Sequence, residues 1–498
     1  MSAPTTYKNA TPAAPPTAPK KPVLERMFRL TEHRTTVRVE VMAGLTSFFA
    51  SVFTVLAIPG MMAGGAAAAV GDAGANPAVA NAVYIAAVLS SVLGSLLLAF
   101  LANLPFVQAP GMGLGSYLAF TVMPAIGVLA APDTLTAPQV YQMALALVFV
   151  SGSLFVLLSA TGVRQRIIDG IPRNIKVALG SGIGLFITLL GLRQAGITVA
   201  SPSTFVTLVD FASWNHPDAA VRNPVIGAVL ALVGLFVIAV LYARKVKGAI
   251  LIGIFATTAL SFLLGHSTVP EGFSFNLGQQ WSDFATYSFF TLDFGTFATL
   301  GNVGHVVTVA LAMVLAHTLV NSLDSLGTIF GVASAAGMVD EKGNVVGLEK
   351  GLLSDAIGTA GGALLGSSST AVVVSSASGI KEGGRTGLTA LTTAGMFLVA
   401  LVAAPVIPLI PLAATAPALV FVGCLMMSQI KEVDFSDLTE AVPAFLAIAI
   451  MPLTFSIANG IAFALISYVV IKVATGRWRE ISWPAAVIGL LFVLQFLV

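Results

Sequence analysis

Apolar residues run along this chain in long blocks separated by short polar interruptions. A helix needs roughly 20 apolar residues to cross a bilayer, and most blocks approach that length. They predict spans over 37–59, 80–103, 138–160, 175–193, 224–243, 247–265, 304–327, 350–366, 386–406, 415–428, 441–456 and 459–474. Two shorter segments, 106–125 and 372–384, break the pattern and bring the total to fourteen. A last apolar stretch, 482–498, is either a further span or an interfacial segment. The pattern predicts an all-α polytopic membrane protein.

Charge placement tests the count. Cytoplasmic loops of membrane proteins carry an excess of Lys and Arg. With the N-terminus inside, threading fourteen spans puts only Arg193 and Arg222, of 24 Lys and Arg, on the outer side. One missed or added span in the middle would scramble that distribution. The expected location is therefore the cell (inner or plasma) membrane, with a cytoplasmic N-terminus. The expected organisation is a disordered cytoplasmic tail over 1–24, rich in Ala, Pro and Thr, and a first seven-span repeat over 25–265. An extracytoplasmic linker over 266–303 follows, then a second seven-span repeat over 304–475 and an apolar C-terminal segment over 476–498. The tail lacks the features of a secretory signal. Seven is odd, so the halves have opposite orientation, the usual arrangement of secondary transporters with a site at the membrane midplane. The linker holds aromatics such as Phe273, Trp281, Tyr287 and Phe290 but no Lys or Arg. It reads as a loop lying on the outer interface, with a lid as the alternative.

The two irregular segments each stand third in their half. In the first, Phe106 to Gln108 lead into Ala109, Pro110 and Gly111; Pro suits the first turn of a helix. In the second, the β-branched run Val372 to Val374 favours a strand, and Ser375 and Ser376 could cap the helix after it. Non-helical backbone at membrane depth is tolerated only inside protein or along a cavity. Two short strands that pair with each other, each followed by a half-helix, satisfy that condition. Two ordinary loops are the plainer alternative. Half-helix N-termini offer free N–H groups and partial positive charge. Backbone N–H groups near Ala109 to Gly111 and Ser375 to Ala377, with both Ser hydroxyls, are the candidate ligands for a solute.

Span 304–327 and the turn after it place His317, Asn321, Asp324 and Thr328 at helical spacing on one face. Asp324 reads as the carboxylate nearest mid-membrane, and Asp355 as closer to a cytoplasmic end. A carboxylate at such depth by default marks a functional site. Asp324, with His317 on the same face, is the candidate for proton coupling. The alternative is a lock that holds the half-helices together. Phe48 and Tyr117 are candidates for stacking on a ring. The break from Met451 to Asn459 reads as a gate, a hinge or a simple turn.

Composition removes other classes. Only 9% of the 498 residues are charged and 57% are hydrophobic, against about 25% charged in soluble domains. A net charge of +2 implies no nucleic-acid partner. Cys424 is the sole cysteine and the 5 histidines are scattered, so no metal site, cofactor or enzyme chemistry is expected.

Several stretches resemble the nucleobase–cation symporter 2 superfamily, specifically the AzgA-like purine (adenine, guanine, hypoxanthine) permeases. They are AGLTSFF at 43–49, ANLPFVQAPGMGLGSYLAF at 102–120 and NSLDSLGTIFGVASAAGMVDEKGNV at 321–345. Further matches are SDAIGTAGGALLGSSST at 354–370, SGIKEGGRTGLTAL at 378–391 and TEAVPAFLAIAIMPLTFSIANGIAFALISY at 439–468. The resemblance implies fourteen spans in two inverted repeats, core and gate domains, and alternating access. It also implies uptake driven by a proton, or by sodium in its place, often by a homodimer. Four positions depart from the family pattern. Gly115 and Ile58 stand where the family has Asn, Asn321 where it has Asp, and Ser375 where it has Glu. Asp324 keeps its charge. Gly115, Asn321 and Ser375 are thus the substrate positions by resemblance. A site that has lost two carboxylates would pair fewer N–H groups of a purine. The expected solute is a purine nucleobase or a related small heterocycle; a small organic or inorganic anion is the alternative.

Overall fold

The structure is a computed structural model. It describes residues 22–497 apart from 73–75, 131–133, 162–169, 202–203, 247, 270–276, 302, 336–337 and 339–346. The expected tail lies outside the described residues up to position 21. Its last two residues begin a short helix, α1 (Val23–Phe28).

The first predicted span is two helices, α2 (Val37–Ser51) and α3 (Phe53–Ala69), separated by a turn at Val52. Thr36 starts it by accepting the Val39 N–H at 3.4 Å. The chain continues through α4 (Pro77–Leu97), whose cap Asn76 accepts from Ala78 and Val79. The first irregular segment becomes strand β1 (Gln108–Pro110), half-helix α5 (Met112–Tyr117), a π-helical turn over Leu118–Val122 and helix α6 (Met123–Leu129). Helices α7 (Ala137–Ala160), α8 (Arg173–Gln194), α9 (Ala219–Ala243) and α10 (Ala249–Leu263) complete the first half. The second half holds α12 (Val303–Ala335), α13 (Leu348–Leu364), strand β4 (Thr370–Val372) and half-helix α14 (Ser376–Lys381). It ends with α15 (Gly387–Ala400), α16 (Leu412–Met427), α17 (Leu438–Leu453) and α18 (Ile457–Ala474). Between the halves lies α11 (Leu277–Tyr287). Each predicted span has its element; most boundaries shift by a few residues, while the first span runs on to Ala69 and the span predicted over 304–327 runs to Ala335. Among the described residues, 10 helical runs are long and apolar enough to cross a membrane.

Two groups of helices pack separately. In one, α4 contacts α3, α11, α13 and α15, α7 lies along α13, and α2 along α15. In the other, α8 packs on α16 and α17, α17 on α18, and α9 on α10 and α16. These are a core body carrying both irregular segments and a gate body beside it.

Three features were not legible as local pattern. A hairpin of β2 (Thr198–Ser201) and β3 (Phe205–Leu208) occupies the loop after α8. The linker folds into α11, where Asp283 accepts from Asn81 of α4 at 2.9 Å and from Gln279 at 2.8 Å. The last apolar stretch is α19 (Trp483–Leu497), 15 residues packed on α18 and α12. At 1.5 Å per residue it reaches about 22 Å, short of a bilayer core of about 30 Å.

Candidate functional site: the crossed strands in the core body

β1 and β4 pair antiparallel, Gln108 with Val372, Ala109 with Ala371 and Pro110 with Thr370. All six residues are buried. Neither strand has another neighbour in its sheet, so each satisfies the other, as irregular backbone in a membrane requires. The antiparallel register sends α5 out of one end of the ladder and α14 out of the other. Their N-termini are therefore separated by roughly the ladder's length, about 10 Å.

The ladder is anchored from below by a polar lattice. Gln108 projects between Gly94 and Gly358, where a Cβ on Gly358 would lie 2.5 Å from its Oε1. Its Nε2 donates to Asp355 Oδ1 at 2.9 Å. The Ser325 hydroxyl donates to Asp355 Oδ2 at 2.5 Å and lies 3.2 Å from Asn321 Oδ1. Asn321 Nδ2 donates to Thr359 Oγ1 at 3.0 Å, and Thr359 donates to the Thr370 carbonyl of β4 at 2.9 Å. Asn321 and Ser325 on α12 thus face Thr359 and Asp355 on α13, two ladders of i,i+4 spacing. Asp355 is fully buried. A second buried carboxylate, Glu40, accepts from the N–H groups of Arg385, Thr386 and Thr389 and from the Thr389 hydroxyl at 2.6 Å. Asp324 is therefore not alone. The sequence signal for Asp355 was present: a carboxylate four residues before Thr359, in a helix rich in Gly and Ala, whose small faces bring neighbouring helices close.

The predicted residues fall into three groups. The first group is engaged within the protein. Asn321 donates its Nδ2 to Thr359, and its Oδ1 faces the Ser325 hydroxyl. The Ser376 hydroxyl accepts the Val107 N–H at 3.0 Å. Phe48 stacks edge-on against Phe397 with ring centroids 5.3 Å apart. His317 Nδ1 meets the Ser151 hydroxyl at 2.8 Å. The second group is closed off. A Cβ on Gly115 would collide with Ile58 Cδ1, and Ile58 is fully buried. The two positions thus fill each other: Ile58 occupies the room Gly115 leaves. The third group has free polar capacity. Of the donors expected near Ala109 to Gly111, Pro110 has no N–H and the Gly111 N–H donates to the Ser369 carbonyl at 3.1 Å; the free donors come just after, where the N–H groups of Met112, Gly113 and Leu114 at the start of α5 have no partner among the described residues. The Ser375 hydroxyl is buried and unpaired, and it caps nothing. Asp324 is half-buried, with no hydrogen bond among the described residues. It adjoins Ser325, whose hydroxyl donates to Asp355. Tyr117 belongs with the engaged residues: buried beside His317 with ring centroids 6.1 Å apart, its hydroxyl donates to the Met313 carbonyl at 3.4 Å.

More unpaired atoms surround the ladder. Gln108 Oε1 and the hydroxyls of Ser367, Ser368 and Thr370 are buried without partners among the described residues. The Ser368 hydroxyl lies 3.6 Å from where a Gly115 Cβ would stand. Buried polar groups in native proteins are nearly always paired; a cluster of exceptions marks a place built to meet something other than protein. The run Ser367-Ser368-Ser369-Thr370 was its sequence signal.

Crossed strands with half-helices, held in one helical body beside a second, define a secondary transporter of the inverted-repeat class. Solved structures share the fold. The transmembrane domain of the cyanobacterial bicarbonate transporter BicA superposes with a TM-score of 0.55 at 17% identity, covering 88% of this chain and 97% of that one. SLC26A9 gives 0.58 at 12% identity, covering 91% and 69%. Sequence is more specific. A profile of the Permease family (Xan_ur_permease) matches residues 38–463, and the chain belongs to that family. Guanine/hypoxanthine permease PbuO of Bacillus subtilis (strain 168) is 38% identical over 475 residues, 95% of this chain and 100% of its own length. Adenine permease AdeP of Escherichia coli (strain K12) is 34% identical over 479 residues, 95% and 96%. The protein is a multi-pass membrane permease, not an enzyme.

Proposed function

We propose that the protein imports a purine nucleobase or a close heterocyclic relative across the cell membrane, driven by a proton gradient. The observation that carries this is the cluster of buried, unpaired polar atoms around β1 and β4. Ser375, Ser368 and the free N–H groups of α5 offer donors and acceptors to the polar edges of a flat ring. PbuO and AdeP, named for guanine, hypoxanthine and adenine, match it over nearly their whole lengths. Asp324 and Asp355 supply the coupling device, since two interacting carboxylates in a dry setting are a general means of holding one exchangeable proton. The distribution of Lys and Arg supports a cytoplasmic N-terminus.

Uptake of labelled adenine, guanine and hypoxanthine by cells lacking their own purine carriers tests the reading. Accumulation is expected to collapse with a protonophore and to persist without sodium. Asp324→Asn is expected to abolish accumulation with an unchanged melting temperature in detergent. An unfolded variant would reassign Asp324 to holding the core together. A second reading, transport of a small anion, is favoured by the free N–H groups of α5 standing where a family Asn has become Gly115. Inhibition of uptake by chloride or sulfate, with none by nucleobases, would establish it.

A further inference from the structure

A cavity of about 380 Å³ opens between the two helical bodies, away from the crossed strands. Tyr117, Phe120 and Thr121 line it from the core body, Met313 from α12, and Phe455 and Asn459 from the gate body. It shares Tyr117 with the candidate residues above but lies apart from the crossed strands. Met313 precedes Asn321 by eight residues, about 12 Å along the helix. Its size is that of a small-molecule pocket, and no Lys or Arg is among its lining residues.

The gate-body wall is preorganised. Phe455, between α17 and α18, holds a left-handed backbone with φ 50°, a conformation that costs a non-Gly residue energy and persists only when its surroundings enforce it. Thr121 of the core body donates to its carbonyl at 3.1 Å. Its ring is fixed by the Arg193 guanidinium 5.3 Å from the centroid and by the Phe186 ring, edge-on, at 6.5 Å. Beside it, the Asn459 side-chain amide has no hydrogen-bond partner among the described residues. Its backbone N–H is capped by Ser456 at 3.3 Å, so the side chain is not needed to start α18. An amide presents one donor and one acceptor side by side, a match for an adenine-like edge carrying an N–H beside a ring nitrogen lone pair.

We propose that this cavity is a second, staging site for the transported ring, in which Asn459 reads the hydrogen-bonding edge of a neutral planar heterocycle held against Phe455. The proposal rests on the nucleobase reading above. The chemistry gives a directional test, because Asn459→Asp replaces the donor by a second acceptor. It should favour a ring with two adjacent N–H donors, as guanine has, over adenine.

Binding of labelled adenine and guanine to purified protein is measured beside uptake in cells. Asn459→Ala is expected to weaken adenine binding and raise its KM about fivefold, the effect of one hydrogen bond, with Vmax within about twofold. Asn459→Asp is expected to move the adenine-to-guanine preference about fivefold or more toward guanine. Unchanged affinity and preference in both variants, with normal melting temperatures, overturn the staging site and leave the nucleobase reading intact. So does a fall in Vmax alone, which would make Asn459 part of a gate. Binding that responds to Asn459 without any uptake keeps the site and removes the transport reading. Wild-type protein that binds neither base overturns both.

Discussion

The two strand–half-helix segments occupy equivalent places in the inverted repeat, yet they are built differently. The first leaves β1 through Pro110 and Gly111 into α5, which continues through a π-helical turn into α6, giving 18 helical residues from Met112 to Leu129. Its first N–H groups are free. The second leaves β4 through a tight turn in which the N–H groups of Ser376, Ala377 and Ser378 bond to the carbonyls of Val373, Val374 and Ser375 at 3.0 Å each. Those donors, expected to meet a solute, are already spent. α14 stops after 6 residues, so its dipole is small. The first segment therefore offers backbone donors, and the second a side-chain hydroxyl, Ser375. The pseudo-symmetry fixes where the segments lie; local sequence decides what each presents.

The largest effect is expected where both segments are tied together. Asp355 holds Gln108 of β1 and faces the Thr359 link to β4. Asp355→Ala should cut uptake about tenfold or more and cost about 1–2 kcal/mol of stability, because it leaves the buried Gln108 Nε2 donor unpaired. Asp355→Asn, which keeps one acceptor, should restore the melting temperature but not the uptake. Equal, near-normal uptake in both would show that the lattice is not needed for transport.

The first segment should tolerate added bulk poorly. Gly115→Asn should destabilise by about 1–3 kcal/mol through the collision with Ile58. Combining it with Ile58→Ala should recover most of that loss, a coupling of about 0.5–3 kcal/mol in a double-mutant cycle of melting data. Additive losses would mean that the two positions do not fill each other.

The second segment should separate a structural hydroxyl from an unpaired one. Ser376→Ala strips the Val107 N–H of its acceptor and should cost about 1 kcal/mol. Ser375→Ala should change stability by no more than about 0.5 kcal/mol while shifting KM. The reverse ranking would exchange the roles of the two serines.

The smallest effect serves as a control far from both segments. Arg477 donates to Asp437 Oδ2 at 2.7 Å and to Glu480 at 2.7 and 2.9 Å, clamping the start of α17 to the chain after α18. Hydrogen bonds from Arg477 hold the Asp437 and Glu480 carboxyls below their ordinary range. Carboxyls depressed in the folded state stabilise it above their unfolded values, near pH 4, and that contribution fades as pH falls through the folded ones. Melting temperature should therefore drop on acidification below about pH 4, and Asp437→Asn should flatten the drop.

Much of the fold was legible because a bilayer imposes simple rules. Span length, loop charge and the oddness of two segments located fourteen membrane elements and the crossed strands. The hairpin β2–β3 was missed because four-residue strands in a polar loop carry no periodicity. Within the site, the face of α12 was legible from spacing. The partners were not. Asn321 was read as a substrate ligand, and only the neighbouring helix α13 shows its amide paired with Thr359 and Ser325. Gly115 and Ile58 were read as separate departures from a family pattern, whereas contact between α3 and α5 makes them one packed pair.

The sequence by itself determined that lipid is the solvent, how often the chain crosses it and which stretches cannot be plain helix. These follow from transfer energies summed over about 20 residues, which are local and additive. Only the tertiary structure decided which buried polar groups remain free for a solute. A hydrogen bond is spent or spare according to what lies within about 3 Å of it, and at the crossed strands the neighbours that tie β1 down, Asp355 to Gln108 and Ser376 to Val107, come from more than 200 positions away.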